Sequence, residues 1–241
     1  MTSTPSRTSA PTIAIVGAGR VGSVLSRALR AAGFDVVGPL RRSEEGPAVD
    51  LAVLCVPDAA IAEAAASARP HAARIAHVSG ATGLTDVDLS LHPLQTFTGA
   101  ESPAVFRGIG VAIDGRTGGD RALAAHLATA LGAVPFGVDD DHRASYHAAA
   151  SFASNFLLTV LDAAEQLAAP AGVERAHLAP LVRQTVENWV ASGAAAALTG
   201  PIARGDEVTV ARQRAASGDL VPLFDALAAA TREVAARKDD A

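Results

Sequence analysis

Gly17-Ala18-Gly19-Arg20-Val21-Gly22 follows the apolar run Ile13–Val16 and leads into a helical pattern. A G-x-G-x-x-G turn with a strand before it and a helix after it can hold a pyrophosphate. Gly17 permits the tight turn, Gly19 lets backbone approach the anion, and Gly22 lets helix and strand close on each other. Arg20 and Val21 begin the helix, where free N–H groups and a partial positive charge favour an anion. A glycine turn serving only the fold is the alternative.

The end of the second strand selects the nucleotide. A dinucleotide site that takes NAD usually has an acidic residue there, bonding the ribose hydroxyls. Here the strand Asp35–Leu40 runs into Arg41-Arg42-Ser43. Two guanidinium groups and a hydroxyl suit a 2′-phosphate, so the expected cofactor is NADPH/NADP. The competing reading makes Arg41 and Arg42 solvated surface charges.

Three more segments fall beyond the carboxyl ends of strands, where α/β sheets bind ligands. Val56-Pro57-Asp58 and Ser79-Gly80-Ala81 should flank the cofactor, Val56, Pro57 and Ser79 most directly. Asp58 serves equally well as a helix cap. His92-Pro93-Leu94-Gln95-Thr96-Phe97 could line a substrate pocket through His92 and Gln95, although a backbone-bonded structural histidine is an equal reading of His92. His77, inside a strand, reads as a satisfied core residue.

Tyr146 to Asn155 carries the densest polar information in the second half of the chain. At ~100° per residue on an α-helix, Ser151 lies ~40° from His147, Ser154 ~20° to the other side and Asn155 ~80° away. The expectation is one polar stripe amid small and apolar residues. His147 is the titratable candidate for proton donation, with Tyr146 a weaker alternative. Ser154 and Asn155 would orient the reacting group, and Ser151 would touch substrate. A hydrogen-bonded helix–helix seam explains the same stripe. In Leu198–Asp206, Thr199 and Arg204 could hold a carboxylate; a tight turn with Arg204 paired to Asp206 is the plainer reading.

The elements that must position these residues follow from pattern. Of 241 residues, 49% are hydrophobic, and the net charge is −5. That composition implies one or two domains with a real core and gives no basic footprint for nucleic acid. No apolar run reaches the ~18 residues of a membrane span, and Met1–Pro11 lacks the apolar stretch of a signal peptide. We expect a cytoplasmic protein with a loose tail over residues 1–11. Cys55 is the sole cysteine, and no group of ligands has metal spacing, so neither disulfide nor metal is expected. One lysine, Lys238, stands against 19 arginines, which removes lysine chemistry. Strand patterns at Ile13–Val16, Asp35–Leu40, Leu51–Val56, Ile75–Val78, Leu89–His92, Gly110–Ile113 and Val134–Val138 are interspersed with helices. They predict a doubly wound, mostly parallel α/β Rossmann domain over 12–139. From residue 140 to 241 the pattern is all-α. Asp141 is expected to cap a helix through Gln166. Glu174–Ser192 is a further helix, bent near Pro180, and Asp206 and Asp219 are N-caps of two more.

GAGRVG, VPD, HVSGA, HPLQTF, YHAAASFASN and LTGPIARGD together resemble a family of Rossmann-like oxidoreductases with a helical C-terminal domain of unknown function. This family lies within the 6-phosphogluconate-dehydrogenase-like group. Pyrroline-5-carboxylate reductase, ketopantoate reductase, prephenate dehydrogenase and F420-dependent NADP reductase are more distant relatives. The resemblance implies NADP(H) binding and a homodimer through the helical domain, with ketopantoate-like or imino-acid-like substrates as candidates. Related hydroxyacid dehydrogenases place a lysine and an asparagine four residues apart on the corresponding helix; His147 and Ser151 take that spacing here. The expected activity is hydride transfer from NADPH to a C=O or C=N of a small carboxylated metabolite. A nucleotide-binding sensor without turnover and an F420-type reductase are the alternatives.

Overall fold

A computed structural model of the chain describes residues 11–41, 44 and 46–239, with side chains to residue 237. Seven strands form one sheet: β1 (Thr12–Val16), β2 (Asp35–Leu40), β3 (Val49–Leu54), β4 (Ala72–His77), β5 (Leu89–Pro93), β6 (Gly110–Gly115) and β7 (Val134–Gly137). The spatial order is β2-β1-β3-β4-β5-β6-β7. Every pairing is parallel except β5 with β6, which is antiparallel. The chain leaves β1 for β2 on one side and β3 on the other, so the topological switch point lies between β1 and β3.

Alternation along the strands sends side chains to both faces, and helices cover both. On one face Ile13, Ile15, Leu51 and Val53 pack with Val24, Leu25 and Leu29 of α1 (Arg20–Ala31) and Leu127 of α3 (Gly118–Ala130). On the other, Leu54 and Ile75 pack with Ile61 and Ala65 of α2 (Ile61–Ala68). The sequence pattern located the strands to within two residues at most ends. It did not delimit α3, whose Thr117-x-x-Asp120 capping box is a readable start signal.

The chain forms two compact units, one ending at Ser154 and one beginning at Asn155. The α/β unit therefore extends past the expected boundary at residue 139 and includes α4 (Asp140–Ser151). The reason is anchoring. Arg143 of α4 is bonded to Asp114 and Ser90 of the sheet, and Asp140 lies against Gly83. The cap of α4 is Asp139, accepting from His142 N–H at 3.0 Å, two residues earlier than expected.

A π-helical turn, Phe152–Phe156, follows α4. The second unit then contains α5 (Leu157–Ala168), α6 (Arg175–Ala197), α7 (Glu207–Ala216) and α8 (Val221–Asp239). Pro180 lies within α6, but the non-helical backbone is at Gly193. Asp206 caps α7 as expected, bonding Thr209 through both N–H and hydroxyl. Asp219 does not cap α8; it lies within a short 3₁₀ turn, Gly218–Leu220. The fold is thus an α/β Rossmann domain followed by an all-α C-terminal part. No helix among the described residues is long and apolar enough to cross a membrane.

Candidate active site

The glycine turn has three distinct steric environments. A Cβ on Gly17 would lie 2.3 Å from the Cys55 carbonyl oxygen, and Gly17 has a φ of +111°. A Cβ on Gly22 would lie 2.0 Å from the Gly17 carbonyl oxygen. A Cβ on Gly19 would meet nothing within 4 Å. Gly17 and Gly22 are thus glycine because the fold leaves no room, while Gly19 faces open space. No side chain caps α1, and its first turn carries no acidic residue. Arg20 and Val21 begin this helix, so its N-terminal amides and positive end face the open side of the turn.

A cavity of about 720 Å³ opens from this turn. Gly17, Gly19, Arg41, Glu44, Val56 and Pro57 line it, together with Ala64 and Ser67 of α2. From the carboxyl ends of β1, β2 and β3, where a dinucleotide's pyrophosphate and adenosine half bind in this topology, it continues over the sheet past Ala14 and Ala52 to His71 and Ala72 at the start of β4. Arg41 is exposed, and its backbone N–H donates to the Glu44 carboxylate at 2.8 Å. Arg42 and Ser43, the other two expected phosphate contacts, lie outside the described residues.

Further along the same edge of the sheet, β4, β5 and α4 assemble a second polar cluster. His77 is fully buried; its Nδ1 accepts from Ser79 N–H at 3.2 Å, leaving Nε2–H to donate to the Gly83 carbonyl at 3.1 Å. Burial holds its pKa below the usual imidazole value. It is the satisfied core histidine expected. Ser79 is committed to its own turn, its hydroxyl accepting from Ala81 and Thr82 N–H and donating to Thr82 Oγ1. That leaves the segment's backbone, not the Ser79 side chain, to meet a ligand.

His92 is half-buried at the end of β5, with Nδ1 2.6 Å from the Tyr146 hydroxyl. Tyr146 also packs edge-on against Phe136. Burial, with the nearby His147 ring adding to it, pushes His92 down to about 4. Burial likewise pushes Tyr146 up to about 12. His147 is exposed, its ring 6.4 Å from that of His92. Gly80 lies between them: a Cβ there would come within 2.8 Å of His92 and 3.0 Å of His147.

Beneath this cluster sits Arg143, its side chain 4% exposed, bonded to Asp140 at 3.0 Å, Ser90 at 3.4 Å and Asp114 at 3.5 Å. Sequence reasoning assigned Arg143 nothing. The available signal was its place one turn before Tyr146-His147. A second brace is the loop after β5. Glu101 accepts from Thr98 and Gly99, Arg27 bonds the Gly99 and Glu101 carbonyls, and Gly99 lies against Arg20. The bonds from the Thr98 hydroxyl and N–H, with those from backbone N–H groups including Gly99, hold the Glu101 carboxyl down to about 2. Gln95, earlier in that loop, is exposed, and its side-chain oxygen accepts from the Thr96 N–H at 2.8 Å.

The expected His147–Ser151–Ser154–Asn155 stripe does not hold as one α-helical face. The π turn Phe152–Phe156 breaks the 3.6-residue period after Ser151. The Ser151 hydroxyl bonds back to the His147 carbonyl at 3.2 Å. Asn155 belongs to the second unit, where its carbonyl accepts from the Thr159 hydroxyl. Thr199 and Arg204 are exposed residues of that same unit. The Asp206 carboxylate there bonds Thr209, so the tight turn is closed by this cap.

The site and topology define a dinucleotide-binding class of α/β fold. A family described as a domain of unknown function, DUF2520, matches residues 109–231, half of the chain, and the chain belongs to that family. Its fold is shared with solved structures. BF3122 from Bacteroides fragilis, named as a candidate NADP oxidoreductase, is 22% identical with a TM-score of 0.80, covering 93% of this chain and 98% of that one. Protein TM1727 from Thermotoga maritima is 21% identical with a TM-score of 0.79, covering 92% and 99%. A Plasmodium falciparum pyrroline carboxylate reductase with NADP bound is 9% identical with a TM-score of 0.59, covering 93% and 98%. No curated protein matches the sequence.

Proposed function

We propose that this protein is an NADPH-dependent oxidoreductase acting on a C=O or C=N group of a small carboxylated metabolite. The observation that carries the reading is the glycine turn. It is closed at Gly17 and Gly22 and open at Gly19, at the N-terminus of an uncapped helix beside a dinucleotide-sized cavity. The bound NADP of the similarly folded Plasmodium reductase agrees with it. In this reading Gly17, Gly19, Arg20, Val21 and Gly22 hold the pyrophosphate through backbone. Val56 and Pro57 flank it, and Arg41, Arg42 and Ser43 take the 2′-phosphate. The cofactor supplies a hydride to the substrate; the protein's task is to bind, orient and manage one proton. His92, Tyr146 and His147 are the groups at hand for that proton. Ser151, Ser154 and Gln95 stand as candidate substrate contacts within the α/β unit.

The protein is further proposed to be a cytoplasmic homodimer. None of the 23 residues of α6 is buried, and Leu181, Trp189 and Val190 are 66%, 57% and 68% exposed. So much exposed apolar surface on one helix calls for a partner, and a second copy is the simplest.

The test is a fluorescence titration with NADPH and NADH. Tighter binding of NADPH, followed by its oxidation with a member of a keto-acid and cyclic-imine panel, is the expected result. Binding of neither nucleotide would overturn the reading.

A further inference from the structure

We infer that Tyr146, held by His92, is the group that carries the substrate proton, and that the site therefore serves a carbonyl/alcohol couple. The inference rests on the reductase reading above and deepens it. Its ground is geometric. The Tyr146 hydroxyl lies 2.6 Å from His92 Nδ1, at the carboxyl end of β5, on the same sheet edge as the glycine turn. Gly80 supplies the gap into which the His92 ring fits. Phe136 holds the other side of the Tyr146 ring.

Reduction of a carbonyl places an electron pair on oxygen, and that oxygen must take a proton. Reduction of an imine starts from a carbon already activated by a protonated nitrogen and yields an amine without an enzymic acid. A neutral O–H donor therefore fits the first couple and is idle in the second. Both members of the pair are neutral near pH 7, since burial raises the phenol and lowers the imidazole. The charged and titratable groups facing His92 are His147, Asp58, Arg143 and His77.

The step balances as follows. A reduced nicotinamide dinucleotide supplies the hydride pair to the carbonyl carbon, and the C=O π pair moves to oxygen. The Tyr146 Oη–H bond breaks, its proton forms the new O–H of the alcohol, and its electron pair stays on Oη. The His92 Nδ1–H then donates to that phenolate until solvent returns the proton. This requires the neutral His92 tautomer with its proton on Nδ1, opposite to His77, whose Nδ1 accepts from Ser79.

Two measurements test it. The first needs no cofactor: ¹⁵N shifts of the imidazoles in the ligand-free protein. Protonated Nδ1 on His92, with a shift that changes in Tyr146→Phe, supports the pair. Protonated Nε2 overturns it, because the phenol would then spend its proton on the ring. The second is NADPH oxidation over matched ketones and cyclic imines. Expected is turnover with a ketone or aldehyde, falling about 100-fold or more in kcat for Tyr146→Phe with NADPH affinity unchanged. Turnover with imines alone, or Tyr146→Phe at full rate, refutes the proposal while leaving NADPH binding intact. Loss of NADPH binding in the wild type instead refutes the reductase reading.

Discussion

Alanine at Gly19 and at Gly22 should separate the nucleotide from the fold. The two glycines sit three residues apart in one motif, yet their surroundings are opposite. At Gly19 the backbone is extended, with φ −72° and ψ −172°, and an added methyl meets nothing within 4 Å. Alanine is a poorer N-cap than glycine by several tenths of a kcal/mol, but it loses less chain entropy on folding by about 0.4–1 kcal/mol. Gly19→Ala should therefore melt within about 2 °C of the wild type, since ~1 kcal/mol moves a chain of this size by roughly 2–4 °C. The methyl would occupy the approach to the turn's amides. Losing one charge-assisted hydrogen bond costs about 1.5–3 kcal/mol, or roughly 10- to 150-fold in NADPH affinity. At Gly22 the added Cβ falls 2.0 Å from the Gly17 carbonyl and 3.1 Å from the Cys55 side chain. Backbone must move, and overpacking of that kind costs about 1–3 kcal/mol or more. Gly22→Ala should lower Tm by roughly 2–12 °C. Thermal melts and fluorescence titrations on both variants decide the matter. An unchanged NADPH Kd in a well-folded Gly19→Ala protein would refute the assignment of this turn to a pyrophosphate.

Arg41→Ala/Arg42→Ala should erase a preference for NADPH by roughly 10- to 100-fold while leaving NADH affinity nearly unchanged, measured by the same titration. Arg143→Met should destabilise the α/β unit. Breaking a buried ion pair costs about 3–5 kcal/mol, but Asp114 keeps Arg121 at 2.9 Å, so about 2–3 kcal/mol and a Tm loss of roughly 4–12 °C are expected in calorimetry. For acid stability the sign is set by the imidazoles. His92 titrates at about 4 when folded and near 6.5 when unfolded, so below pH ~6.5 the unfolded chain binds a proton the native one refuses. Stability should be full above pH ~6.5 and fall by at most about 3 kcal/mol toward pH 4, with His77 adding in the same direction. Urea melts from pH 7.5 to 4 would show a flat profile if the two rings were solvated. Leu181→Asp/Trp189→Asp should convert a dimer to a monomer in sedimentation; a monomeric wild type would reject that interface.

Much of the fold is carried by local signals. The strands of the α/β unit are short apolar runs, and the glycine turn binds its own neighbours, so pattern and spacing locate them. The domain boundary is different in kind. Asp139 to Ser151 is amphipathic in sequence and reads as the start of a helical domain. What assigns it to the sheet is the burial of Arg143 against Asp114 and Ser90, contacts 29 and 53 residues away along the chain. An arginine on a helix is ordinarily solvated, and only its place one turn before Tyr146-His147 sets this one apart.

The candidate site divides along the same line. Gly17, Gly19 and Gly22 are legible because their spacing between a strand and a helix is itself the signal, although it is Cys55, far along the chain, that closes the turn at Gly17. The polar stripe after Tyr146 shares one face only on a straight α-helix, and the single π turn Phe152–Phe156 removes that face. Tyr146 and His92 are 54 positions apart, and their meeting depends on the antiparallel step from β5 to β6, the return through β7 and the seating of α4. In the proposed reductase, with the chain's one lysine near its C-terminus, the proton-carrying group is built from such residues. On sequence, His147 reads ahead of Tyr146 because a free imidazole has a pKa near neutral. The buried environment reverses that preference. Burial favours the neutral forms of His92 and Tyr146, and the 2.6 Å contact between them fits the proposed pair in which the imidazole donates to the phenol and leaves its proton for the substrate.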